Sequence, residues 1–195
     1  MKKLAERLRT FHGDRRGIAA LEFALLSPIM LVLAFGLAEV YIAHATQDQF
    51  TRYVHQSGDL LARETTLTSA SITTMHNAAA QMVPGFDSGR TVEIHVSSFG
   101  YKADGSPTLL WERSAGGPPV SQNAVDVIDL GLPSDTVIRV EGRLTYTSPF
   151  NFVWSSEART ISTVSYHRPR ETRAISMDGA ISEYDANWDA SPPAS

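Results

Sequence analysis

From Ile18 to Ala45 the chain is almost continuously apolar, broken only by Glu22, Glu39 and His44, and the stretch FALLSPIMLVLAFGLA (Phe23–Ala38) carries no charge. As a helix, the run from Ile18 to Glu39 rises about 31 Å, close to the hydrocarbon thickness of a bilayer. It predicts a membrane segment. The pattern then changes without stopping. Phe50, Val54 and Leu61, with Ser57 or Gly58 between them, continue an apolar stripe at helical spacing, while Gln47, Asp48, Arg52, Gln56 and Asp59 supply a wet face. One helix is therefore expected from about Ile18 to about Arg63, its first half in lipid and its second half amphipathic. Gly58 weakens it without breaking it. Pro28 lacks an N–H, so a kink is expected near Ala24–Pro28.

Residues 65–71 (TTLTSAS) are rich in hydroxyls and read as a turn ending in a cap. Ile72, Met75, Ala79 and Met82 then share one face of a second, short helix that Pro84–Gly85 stops. From Arg90 onward the period becomes two. Val92, Ile94 and Val96 alternate with Glu93 and His95 in a half-buried strand over 91–99, and Asp104–Gly105 signals a hairpin turn before a return strand near Leu109–Glu112. SAGGPP reads as a loop. Residues 136–147 alternate again, and a last strand spans 158–168, ending at Pro169. Four strands joined by hairpins, with a helix to cover one face, make a small α+β unit. Residues 174–195 hold Asp178, Glu183, Asp185 and Asp189 with no Lys or Arg beyond Ala174, plus Pro192–Pro193, and read as a flexible acidic tail.

The charge distribution adds an orientation. Residues 1–17 hold six basic against two acidic side chains, and the remaining chain holds eleven basic against nineteen acidic. A basic flank before the first apolar segment keeps that end in the cytoplasm and sends the acidic bulk across. No basic patch follows the membrane segment, so nucleic acid is not an expected partner. The chain has no cysteine, which removes disulfide staples and thiolate metal sites.

The N-terminus then admits three readings. A secretory signal peptide would use Ala43–His44–Ala45 as an A-x-A-like cut site, but its apolar core is long and Glu22 and Glu39 bracket it. An uncleaved anchor would leave Glu22 about 6 Å into the helix, near the headgroups. The third reading uses every unusual residue. A short basic leader ending in Arg15–Arg16–Gly17, an apolar helix beginning at Ile18, Glu22 in the fifth place of that helix and Phe23 in the sixth resemble the type III signal of type IV pilin-like proteins. The run Ala19–Ala24, with the later Pro28 and Glu39, resembles the TadE-like minor pseudopilins of the Tad/Flp pilus. The resemblance is carried by residues 15–45; farther on, it is one of pattern, a long N-terminal helix on a small antiparallel sheet with a closing YHRPR.

That resemblance implies a structural protein rather than an enzyme, and no cofactor. It implies cleavage by a prepilin peptidase between Gly17 and Ile18, and an assembly role for Glu22 and Phe23. It places the chain in the bacterial inner membrane as a single-pass protein with a cytoplasmic N-terminus and a periplasmic C-terminal domain, available for incorporation in the pilus. The implied partners are the major Flp-type pilin, a second, TadF-like minor pseudopilin and the inner-membrane assembly platform. The corresponding division is a leader over 1–17, a transmembrane helix over 18–45, a helical part over 46–83, a sheet domain over 84–173 and the tail over 174–195. The competing function is an exported binding or enzymatic domain, released after Ala45 or held on an uncleaved anchor.

Catalytic spacings are missing: no G-x-S-x-G, H-E-x-x-H, S-x-x-K, P-loop or dinucleotide fingerprint occurs. His12, His44, His55, His76, His95 and His167 are scattered. His55 and His76 fall on two different predicted helices, and no metal is expected there. His95 reads as solvated surface beside Glu93, and Asp126 and Asp129 as loop acids. Trp111 and Trp154 are expected to fill a small core, whereas Trp188 in the tail lacks an evident core partner and is a candidate for contact with another subunit.

Overall fold

The computed structural model describes residues 17–82, 90–118, 124–147 and 158–189. The basic leader before Gly17, the Pro84–Gly85 stop, Trp154 and Pro192–Pro193 lie outside the described residues. The long helix α1 runs unbroken over Ile18–Leu61, through Pro28. It belongs to two compact units, the first reaching Ile42 and the second beginning at Ala43.

In the first unit, the side chains of α1 from Ile18 to Phe35 are exposed almost without exception, whereas Glu39 is fully buried. In the second unit the expected stripe is present. Thr46, Phe50, Tyr53, Val54, Ser57 and Leu61 are buried at spacings of three and four, and Gln47, Asp48, Arg52 and Gln56 face solvent. The helix ends through backbone bonds from Ala62 N–H to Gly58 O (3.0 Å) and Arg63 N–H to Leu60 O (3.1 Å).

Beyond it come β1 (Thr66–Leu67), α2 (Ser69–Met82), β2 (Thr91–Tyr101), β3 (Pro107–Ala115), a 3₁₀ turn (Ala124–Val127), β4 (Thr136–Tyr146), β5 (Arg159–His167) and β6 (Ser176–Met177). Thr68 caps α2, its Oγ1 accepting from the Ser71 N–H at 3.1 Å. The Asp104–Gly105 turn forms as expected: Gly105 takes a φ of +80°, and Lys102 N–H bonds Ser106 O at 2.9 Å.

The four long strands form one antiparallel sheet in the order β3-β2-β4-β5. Only part of it is a run of successive hairpins, because β4 pairs with β2 and not with the β3 that precedes it. The amphipathic half of α1 lies on the face carrying Val92, Ile94, Val96, Ile138, Val140 and Leu144. The approach is close. A methyl group at Gly142 on β4 would come within 2.4 Å of Val54 Cγ2, and one at Gly58 on α1 within 2.3 Å of the His167 ring. Thr51, Val54 and Gly58 meet Thr163, Ser165 and His167 in turn, so helix and β5 run the same way. Burial in this contact holds His167 below the usual histidine range, with Asp59 opposing the shift and His55 and Arg170 adding to it.

The opposite face departs from the half-buried strand that alternation suggests. His95 is only 2 % exposed, and Ser97, Arg139 and Glu141 are buried beside it. The connection from β3 to β4 lies over them: Asp126 in the 3₁₀ turn reaches Arg139 (3.3 Å), and the Tyr101 hydroxyl donates to Val127 O (2.5 Å). Glu141 is paired with Arg139 (2.9 Å) and Arg143 (2.7 Å). Burial pushes the Glu141 carboxyl up, but these two guanidiniums outweigh it and hold the group below the ordinary range. Among the described residues neither ring nitrogen of His95 has a hydrogen-bond partner; Glu93 Oε2 lies 3.6 Å away. His95 is therefore a covered residue of a central strand, not solvated surface. Polar type and alternation do not reveal that a later loop folds over that face.

Most of what reads as a flexible acidic tail is packed. Ile175 and Met177 are fully buried, and β6 pairs with β1 in parallel, Thr66 with Ser176 and Leu67 with Met177. Trp111 donates through Nε1 to Ile175 O (2.8 Å). Asp178 accepts from the backbone N–H (3.1 Å) and hydroxyl (2.8 Å) of Ser69 at the start of α2. Arg113 on β3 bridges Asp178 (3.2 Å) and Glu183 (2.5 Å). Trp188 lies buried where Gly100 leaves room, with Arg173 over its ring at 5.4 Å, so it has a core partner in its own chain. The acids of this segment meet cations supplied by earlier parts of the chain, Arg113 on β3, Lys102 and Arg173, which net charge along the tail does not show.

Candidate functional site

The first five turns of α1 are the part of the chain whose chemistry its own fold does not explain. Leu21, Phe23, Leu25, Leu26, Ile29 and Met30 are each more than half exposed. Each buried methylene is worth about 0.8 kcal/mol, so such a surface is stable only against lipid or other apolar chains. Among the described residues this is one helix long and apolar enough to cross a membrane, and none of its most apolar stretch is buried within the chain.

The four residues expected to act at this end sit on its first two turns. Gly17 adjoins the helix start, with open space where a side chain would stand, and Ile18 is the first α-helical residue, half exposed. Glu22 follows one turn later on nearly the same face, about 6 Å along the axis. It is exposed and makes no ion pair or hydrogen bond among the described residues. Phe23 is 69 % exposed and turned away from Glu22 by a residue's rotation. The arrangement offers one carboxylate on an otherwise apolar column, ready for a cation that its own helix does not supply.

Elsewhere the expected candidates take structural roles. Asp126 pairs with Arg139, and Asp129 sits in a loop with φ of 66°. Trp111 is fully buried, as its strand position suggests. His76 lies 2.9 Å from Val92 O, and His55 stacks edge-on to His167, with ring centroids 6.5 Å apart. Among the described residues no group of three or more His, Asp or Glu side chains is placed to hold a metal ion. The sequence reading missed Tyr53, whose hydroxyl donates to Met75 O (2.6 Å) and which burial pushes up to about 12. The signal was available, since Tyr53 falls on the same stripe as Phe50 and Ser57.

Neither curated proteins nor solved structures match this chain. A family model does: residues 17–59, from the glycine before α1 almost to the end of that helix, match the family described as TadE-like protein. The match is thus confined to the helix bearing Ile18, Glu22 and Phe23, which is similar to the TadE-like family.

Proposed function

We propose that the protein is a minor pseudopilin acting in assembly of a Tad/Flp-type pilus or a related secretion system. The single observation that carries this reading is the exposed, uncharged column of α1 with Glu22 one turn from its start, inside the segment that matches the TadE-like family. In this reading a prepilin peptidase cuts between Gly17 and Ile18 and creates an ammonium on Ile18 at the cytoplasmic edge of the membrane. Packed among apolar helices, the Glu22 carboxylate then needs a cationic partner. The Ile18 amine of a neighbouring subunit supplies it, and the pair sets the register between subunits. Phe23 adds apolar contact beside the pair. The major pilin, a second minor pseudopilin and the inner-membrane platform are the partners, and the domain from Ala43 onward is periplasmic.

The alternative of a domain released after Ala45 gains no support from the fold. Ala43–Ala45 lie inside one continuous helix, and Thr46, next in line, is already buried.

Two measurements test the proposal. N-terminal sequencing of the membrane-extracted protein should begin at Ile18; a start at Thr46, or at Met1 in cells with active prepilin peptidase, would overturn it. Glu22→Ala should insert and be cleaved normally yet fail to co-purify with the major pilin. Removing one partner of a buried pair costs on the order of 3–5 kcal/mol. Glu22→Gln should be nearly as harmful, because it keeps size and hydrogen bonding but loses the charge. Normal assembly with Glu22→Ala would reduce the residue to a carboxylate tolerated near the headgroups.

A further inference from the structure

Between the last turns of α1, β1 and α2 the second unit holds a groove of about 380 Å³. Tyr53, Ser57 and Leu61 from α1 and Leu67 from β1 form its buried floor, and Met75 and Ala78 of α2 form the facing wall. The floor hydroxyls are already satisfied. That of Tyr53 donates to Met75 O (2.6 Å) and is bonded in turn by Ser57. The floor therefore asks nothing polar of an occupant, and an unpaired polar group buried there would be costly.

The rim hydroxyls are engaged as well. Thr66 Oγ1 accepts from Ser176 (2.9 Å), Thr74 donates to Ala70 O (2.9 Å), and the Ser71 and Thr68 hydroxyls share a bond at 2.9 Å. Glu64 is the exception. It lies exposed on the rim, and its carboxylate makes no ion pair or hydrogen bond among the described residues. Arg63 beside it is committed to Asp59 (2.7 Å), which also takes Arg170. Leu60, one turn before Glu64, stands at the mouth of the groove and is 64 % exposed.

We propose that this groove receives a segment of another protein, seating one large apolar side chain on the floor with a lysine or arginine beside it at Glu64. Size limits the choice. The volume lies near the low end for ligand pockets, with room for an anchor side chain and not for a helix. The satisfied floor makes the anchor apolar, and the free carboxylate on the rim makes its neighbour a cation. Leu60 favours a peptide over a small molecule, because an occupant confined to the cavity would leave that side chain uncovered. A second copy of this chain fits poorly. Seating Leu60 of each copy in the groove of the other, about a two-fold axis, brings their Glu64 carboxylates together, and like charges so placed repel. A lipid tail fits no better, since Leu60 stands about 22 Å along the helix axis beyond Ala45, where the expected membrane segment ends. This inference does not depend on cleavage at Gly17 or on the role of Glu22.

The test uses the full chain in phospholipid nanodiscs, with leucine, methionine and alanine methyl groups labelled for NMR. The probes are blocked peptides Ser-X-Lys-Ser in which X is Phe, Leu or Trp, each paired with a version carrying glutamate for lysine. At millimolar concentration at least one lysine peptide should shift the methyl signals of Leu61, Leu67, Met75 and Ala78 and saturate. Its glutamate version should bind about fivefold more weakly at low salt, the scale of one exposed charge contact. Glu64→Lys should reverse that preference. Ala78→Trp fills the groove and should abolish the shifts, with an unchanged far-ultraviolet spectrum confirming the fold. No shift at these methyls with any lysine peptide would overturn the proposal, as would shifts that survive Ala78→Trp. Equal binding of lysine and glutamate peptides would overturn it in favour of unselective apolar filling. Shifts at these methyls that grow with protein concentration before any peptide is added would overturn it in favour of a second copy, and shifts that follow a change of lipid tail would do so in favour of lipid.

Discussion

The two halves of α1 share one backbone and a similar supply of apolar residues, yet they are settled by different surroundings. From Ile18 to Phe35 the side chains are apolar all round and almost all exposed, so their partner must come from outside the chain. From Thr46 to Leu61 the apolar residues keep to one stripe, and that stripe is buried by the sheet. Hydrophobicity alone does not separate the two; the width of the apolar face does. A full circumference calls for lipid or other subunits, and a stripe calls for a core. Glu22 and Asp59 show the same contrast in charge. Asp59 is held below the usual carboxylate range, first by its bond to Arg63 one turn on and also by nearby Arg170. Glu22 has no such cation among the described residues.

The comparison breaks most cleanly with one chemical change made in both halves. Phe50→Ala should cost the folded domain about 3–5 kcal/mol, as large-to-small changes in a full core do. Leu25→Ala should change it by less than about 0.5 kcal/mol. Urea unfolding of the full chain in detergent, followed by tryptophan fluorescence, gives both numbers; similar losses would mean that the first half packs on its own domain.

The closeness of the stripe to the sheet is sharpened at Gly142. Gly142→Val pushes two methyl groups toward Val54 and Phe50 and should cost about 1–3 kcal/mol by overpacking, visible as a lower urea midpoint with an unchanged slope.

A smaller effect is expected at the clasp that closes the domain. Arg113→Ala should lose about 1–2 kcal/mol, because it removes charge-assisted bonds to Asp178 and Glu183 that water partly screens. Asp178 is held low first by Ser69 and then by Arg113, and Glu183 chiefly by Arg113. Carboxyls held low in the folded chain bind fewer protons than in the unfolded one. Their contribution is therefore complete above the unfolded carboxylate range, near pH 4, and is lost as the pH falls through it. Stability measured from pH 7 to pH 3 should fall less steeply in Arg113→Ala than in the parent chain; parallel curves would mean that the clasp contributes nothing.

The least change is expected at His95. Replacing a buried ring with two unbonded nitrogens by leucine should shift stability by no more than about 1 kcal/mol, and in the stabilising direction if the nitrogens are as unpartnered as they stand. A loss of several kcal/mol in the same urea titration would show that the ring makes a bond with water or with a residue outside the described ones.

Local pattern made the helices and the long strands legible. Ile18–Leu61 ends within two residues of the expected limit, and 91–99, 136–147 and 158–168 anticipate β2, β4 and β5 closely. Contacts that depend on the return of distant chain were not legible. The cover over His95, the parallel pairing of Thr66–Leu67 with Ser176–Met177 and the seat of Trp188 beside Gly100 each join segments whose own sequence looks like turn, loop or tail. A hint was present in the C-terminal segment, where Ile175, Met177, Ile181, Tyr184 and Trp188 recur among the acids. A solvated tail has no use for such residues. Gly17, Ile18, Glu22 and Phe23 were legible as a motif because they are contiguous, and for the same reason their adjacency in the fold adds little to what their order implies.

The pairings of α1 and α2 with later chain also dictate an order of events. Thr51 waits for Thr163, Val54 for Ser165 and Ser69 for Asp178, separations of 112, 111 and 109 residues. A chain emerging from its N-terminus delivers the amphipathic half of α1 first and the β5 strand that runs beside it near the end. Until then the stripe lacks part of its cover, and non-local closure of this kind is slow and exposed to aggregation. The β5 contacts come only with the last third of the chain, so a molecule cut short before β5 would carry an intact anchor and a helix missing the partners of Thr51, Val54 and Gly58. A membrane that retains the first half of α1 would hold the second half in place during that wait, close to where its late partners arrive.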